Sequence, residues 1–133
     1  MTPETIIDNE YITLWYHPDT QIVHHEIHKF IYGDAFRDAL MTGAELLKTR
    51  NACKWLSNDR GNSAMPKDDV EWLMENFISK AIKAGWRHWA IVSPKSMVGR
   101  MSIDSSREYL SEHGLNVMVF DDEKSAMDWL ISQ

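Results

Sequence analysis

Between two long stretches of helical periodicity lies one short apolar run, Ala52 to Asn58, which leads into the polar loop Asp59-Arg60-Gly61-Asn62-Ser63. A short apolar strand placed between amphipathic helices joins its neighbours by crossovers, and that requires a parallel pairing in a covered sheet. The preceding helix opens at Gly33-Asp34, with Asp34 the expected N-cap. Its stripe, Phe36, Leu40, Gly43 and Leu47, continues through Arg50. Glycine there costs about 1 kcal/mol relative to alanine, so the expected reason is close approach of the helix to the sheet. The following helix starts at Pro66, with Asp68 and Asp69 suited to the positive end of the helix dipole. Val70, Leu73, Met74, Phe77, Ile78 and Ala81 form one apolar stripe, Trp72 falls on the opposite side, and Gly85 is the expected left-handed cap.

The rest of the chain extends this pattern. Tyr11 to Tyr16 and Gln21 to His28 are β-rich and flank the turn His17-Pro18-Asp19-Thr20, which makes a hairpin. Alternation puts Val23, His25 and Ile27 on one face and Ile22, His24, Glu26 and His28 on the other. Arg87 to Val92 and Asn116 to Phe120 are further strands, with a helical tendency over Met97 to Glu112 between them. Asp121 or Asp122 caps a last helix that carries Ala126, Trp129 and Leu130. The expected architecture is α/β, in the order β-β-α-β-α-β-α-β-α. It is a single domain over residues 1–133 with 1–10 as an N-terminal extension. A mixed, mostly parallel five-stranded sheet carries about four helices.

Composition narrows the function classes. The chain has 14 basic and 20 acidic residues, a formal charge of −6, and no basic block. Nucleic acid is therefore not an expected partner, because phosphate neutralisation needs clustered cations. One cysteine, Cys53, rules out an intrachain disulfide. Met1 to Glu10 is polar and acidic rather than leader-like, and no apolar run reaches about 18 residues. A cytoplasmic protein without a transmembrane segment is expected. There is no glycine-rich phosphate loop and no Gly-x-Ser-x-Gly elbow, and no spacing selects a Ser-His-Asp set. Neither an enzyme nor a cofactor is expected.

In open α/β sheets the functional crevice lies beyond the carboxyl ends of the strands. This places Asn58, Asp59, Arg60 and Lys95 as candidates for binding a ligand or partner; the alternative is that such residues only fix loop geometry. Trp72, on a polar helix face, is a candidate contact residue. His24, Glu26 and His28 alternate on one strand face. They are a weak alternative metal set, against the simpler reading of a solvated face that blunts an edge strand.

Lys54-Trp55-Leu56-Ser57-Asn58-Asp59-Arg60-Gly61-Asn62-Ser63, Asp69-Val70-Glu71-Trp72, Ala84-Gly85-Trp86, Ala90-Ile91-Val92-Ser93-Pro94 and the closing Ala126-Met127-Asp128-Trp129-Leu130 together resemble small bacterial proteins of the STAS-like (SpoIIAA-like) group. The resemblance spans roughly Tyr11 to Leu130. It implies a fold shared with anti-sigma-factor antagonists, STAS domains of anion transporters and CRAL-TRIO lipid-binding proteins. Antagonists carry a phosphorylatable serine before the second helix. Ser63 occupies the corresponding place, without the flanking Asp and Gly of that motif. Two functions follow as expectations. One is a non-enzymatic signalling or protein-interaction module, with a protein partner or self-association. The other is a carrier or sensor of a small apolar ligand or lipid, with Met97 and Met101 as soft lining.

Overall fold

A computed structural model describes residues 2–61, 66–92 and 107–133. Six strands form one sheet whose spatial order follows the sequence, β1 (Glu4–Asp8), β2 (Ile12–His17), β3 (Ile22–Ile27), β4 (Lys54–Asn58), β5 (His88–Val92) and β6 (Asn116–Phe120). β1–β2 and β2–β3 pair antiparallel, and every later pair is parallel, so β2 alone runs against the others. The alternation of helices and strands after β3 thus gives the expected parallel half of a mixed sheet. The strand count is six rather than five. The supposed N-terminal extension contains Thr5-Ile6-Ile7, a short β-branched run that pairs with β2 through a register shift between Thr5 and Ile7. Its polar flanks conceal it in sequence.

Two helical layers cover the sheet. On one face lie α1 (Gly33–Thr49), α2 (Lys67–Trp72), a π-helical turn (Leu73–Phe77), α3 (Ile78–Lys83) and α4 (residues 107–112). Ile12, Leu14, Tyr16, Val23, Trp55 and Ile91 point into this layer and meet Phe36, Leu40, Leu47, Phe77, Ile78 and Leu110. On the other face lies α5 (Glu123–Ile131), whose Ala126 and Leu130 pack on Ile22, Leu56, Ala90 and Val92. Residues 97–106 of the expected fourth helix, including Met97 and Met101, lie outside the described residues.

The larger core is aromatic. Trp55 and Trp86 are fully buried and stand 5.6 Å apart between ring centroids, with Phe77 at 5.4 Å from Trp55 and 5.5 Å from Trp86. Trp89 lies tilted against Trp86, with centroids 4.9 Å apart. Edge-to-face and tilted aromatic pairs of this kind add about 0.5–1.5 kcal/mol each beyond their buried area. The close approach expected at Gly43 is against Trp55, because a Cβ at residue 43 would collide with the edge of its indole ring. Gly85 is left-handed, with φ 121°, and ends α3 as expected. Asp122 caps α5, accepting a hydrogen bond from the Ser125 backbone N–H at 2.8 Å.

Two expected features of the helix layer take a different form. Asp34 does not cap α1. Tyr32 holds the N-cap position, and the Gly33 N–H donates instead to Asp69 Oδ2 at 3.1 Å. Asp69 is 2 % exposed and also accepts from Arg37 Nε at 3.0 Å, so this carboxylate caps a helix other than its own. Trp72 does not stand on an opposite polar face. A π turn closes through the bond from Ile78 N–H to the Leu73 carbonyl, five residues back, so residues five apart come to share a face. Trp72 therefore stacks on Phe77 at 6.4 Å and lies half-buried against the core, with the Arg37 guanidinium 5.5 Å over its ring.

Candidate functional site

The carboxyl ends of β3 and β4 bring two loops together. The Asp59–Gly61 loop lies so close to the end of β3 that a Cβ at Gly61 would collide with the Ile27 carbonyl and His28 backbone. Within this rim the sequence candidates are engaged in bonds of the fold. Asn58, buried, donates from Nδ2 to Glu123 at 3.0 Å and accepts from the Arg60 N–H at 3.3 Å. Asp59 Oδ1 lies 2.8 Å from His25 Nε2, and its own N–H donates to the Val92 carbonyl. The exposed Arg60 guanidinium donates to the Asp121 carbonyl. Lys95 and Ser63 lie outside the described residues.

Two histidine–carboxylate pairs stand back to back across β3. On the helix-layer face, His25 is 3 % exposed, and its Nδ1 accepts from Trp55 Nε1 at 3.0 Å. Nδ1 is thus an acceptor, which makes Nε2 the protonated nitrogen that donates to Asp59. Ser57 stands beside His25 in the strand register, yet its Oγ accepts from Trp89 Nε1 at 2.7 Å and it is 1 % exposed. Ser57, His25 and Asp59 are neighbours without being a catalytic triad, because both imidazole nitrogens are taken by Trp55 and Asp59.

On the α5 face, His24 Nε2 lies 2.8 Å from Glu123 Oε1, in a contact skewed from a straight hydrogen bond. His24 Nδ1 is 3.0 Å from His17 Nε2, and Trp15 lies 4.6 Å from the His24 ring. His24 is 4 % exposed. The Glu123 carboxyl is held below the usual carboxylate range, first by its contact with His24, and burial opposes this. Burial, reinforced by the charge of His24, pushes the His17 imidazole down.

The suggested metal set does not converge. His24 faces Glu123 and His17, whereas His28 Nε2 is 2.7 Å from the Thr13 hydroxyl. Among the described residues no group of three His, Cys, Asp or Glu side chains is placed to hold a metal ion.

The rim also exposes a pair of aromatic rings absent from the sequence candidates. Phe30 is 42 % and Tyr32 62 % exposed, with centroids 5.5 Å apart, while Ile31 between them is buried. The signal in sequence is Phe30-Ile31-Tyr32 itself, an extended apolar triplet of which alternation can bury only one side. It sits between β3 and α1, one short segment from the Asp59–Gly61 loop.

No family model, curated protein or solved structure matches this chain. Among the described residues no helix is long and apolar enough to cross a membrane.

Proposed function

We propose that this chain is a non-enzymatic, STAS-like protein-interaction module of the bacterial cytoplasm, which docks a partner on the rim formed by Phe30, Tyr32 and the Asp59–Gly61 loop. The observation that carries the reading is the exposed Phe30–Tyr32 pair at the carboxyl edge of the sheet. Exposed aromatic pairs cost solvation in the free protein and are the side chains that dominate partner binding energies. The STAS-like reading rests on the sequence resemblance, with the alternation of strands and helices after β3, a pattern common to α/β folds, in keeping with it. The polar candidates at the rim hold the two loops in shape beneath the aromatics.

A chain with six tryptophans and eight methionines has the side chains to line an apolar pocket, but the tryptophans are largely taken up by packing. Trp55, Trp86 and Trp89 interlock in the core, and Trp72 stacks on Phe77. This favours the interaction module over the carrier.

The test is cross-linking and affinity capture in the native cell with wild type and the double variant Phe30→Ser/Tyr32→Ser, after thermal melts confirm equal folding. A partner held by wild type and lost from the variant is the expected result. Equal recovery by both proteins, or no specific partner of wild type, contradicts the proposal.

A further inference from the structure

The two edges of the sheet are finished differently. β1 is blunted by devices that keep edge strands from pairing: Pro3 precedes it, Glu4 and Asp8 stand at its ends, and its register shifts between Thr5 and Ile7. β6, Asn116-Val117-Met118-Val119-Phe120, has no charge, no proline and an unbroken parallel register with β5. Its hydrogen-bonding phase is set by the Asn116 N–H, which donates to the Arg87 carbonyl at 2.8 Å. Alternation then turns the backbone groups of Asn116, Met118 and Phe120 toward β5 and those of Val117 and Val119 outward. Arg107 agrees with this phase, since its Nε donates to the Val117 carbonyl at 3.3 Å. Met118, in the middle of the strand, is 38 % exposed.

We propose that β6 is the pairing edge of a homodimer, in which β6 of a second copy lies antiparallel to it about a twofold axis at Met118. The strand's own symmetry selects a second copy as the occupant. With the two Met118 residues opposite each other, Val117 of each chain faces Val119 of the other. These are the residues whose N–H and C=O point outward, so each facing pair exchanges both of its backbone bonds. Moving the axis to Val117 or Val119 leaves the other of the two without an outward-facing residue of β6 opposite it. The methionines form the close, non-hydrogen-bonded pair between the valines, and each covers the other's exposed side chain. The Val117 carbonyl has two lone pairs and can accept from the second copy beside Arg107. Strands β4 and β5 separate this edge from the segment that carries Phe30 and Tyr32 after β3, so the dimer leaves that rim open to a partner.

Analytical ultracentrifugation of the full chain, over a concentration series reaching millimolar, tests the dimer together with hydrogen exchange by mass spectrometry at both ends of the series. Wild type is expected to pass from monomer to dimer, and the amides of 116–120 to gain protection in the dimer while those of 4–8 do not. Val119→Pro removes no β5–β6 bond, because that N–H faces outward, and is expected to stay monomeric. Met118→Lys alters an exposed side chain and sets two ammonium groups face to face, so it is expected to weaken the dimer about tenfold or more. Thr5→Lys, on the exposed face of β1, is expected to dimerise as wild type does. A wild type that stays monomeric throughout, a dimer as strong in Met118→Lys as in wild type, or protection gained at 4–8 or 30–32 in place of 116–120 would each overturn the proposal.

Discussion

His25 and His24 are consecutive residues on one strand, each faces a carboxylate, and the structure uses them in opposite ways. His25 lies in the aromatic layer, with one nitrogen receiving the Trp55 indole N–H and the other donating to Asp59. It joins β3, β4 and the loop after β4 into one rigid unit. His24 lies under the edge of α5, between a second histidine and a glutamate whose side chain is 42 % exposed. The first pair is a packed structural joint. The second has a route to solvent and a titratable neighbour on each side. Burial of the partner groups, rather than the residue types, separates a fixed hydrogen bond from one that conditions can alter.

The sharpest way to break this contrast is to remove each histidine. His25→Ala leaves the Trp55 N–H and the Asp59 carboxylate without their buried partner beside a new cavity, and should cost about 3–4 kcal/mol in urea unfolding. Gly43→Ala drives a methyl into the Trp55 ring of the same layer, and a loss of about 3 kcal/mol is expected by the same assay. Asp69→Ala, which strips the cap of α1 and frees Arg37, should cost about 2 kcal/mol in a thermal melt followed by circular dichroism. On the α5 side the effects shrink. Glu123→Gln should cost no more than about 1 kcal/mol in urea, since the carboxylate is part-exposed.

Acid should discriminate the two sides as well. The His17 pKa is depressed below 6.5, so the stability gained from keeping the ring neutral is complete above pH 6.5 and declines as pH falls below it. The Glu123 pKa is depressed below 4.5, so its contribution is present above pH 4.5 and is lost as pH drops toward the folded value. Wild-type stability measured by urea unfolding should therefore fall from pH 7.5 to pH 5, and His17→Gln should show a shallower fall.

Much of this architecture is legible in the sequence, and the parts that are not share a cause. Strands β2 to β6 and the last helix announce themselves through β-branched runs, Gly85 and the Asp122 cap, all of which are local signals. The position of the rim is legible too, since strands that alternate with helices place their loops at the carboxyl edge. The partners of the site are not. His25 and Asp59 are 34 residues apart, Gly33 and Asp69 are 36 apart, and Asn58 and Glu123 are 65 apart. No periodicity encodes such contacts. Trp72 is misplaced by an α-helical wheel because the π turn changes the period, and β1 is hidden because only three β-branched residues mark it.

The division of labour between the two histidines is tested most directly by imidazole nitrogen NMR at pH 7 on uniformly labelled protein, with and without Glu123→Gln. His25 is expected to show the Nε2–H tautomer with Nδ1 as a hydrogen-bond acceptor, unchanged by the substitution, while the His24 and His17 resonances shift. A His25 ring carrying its proton on Nδ1, or one that moves with Glu123→Gln as far as His24 does, would contradict the account.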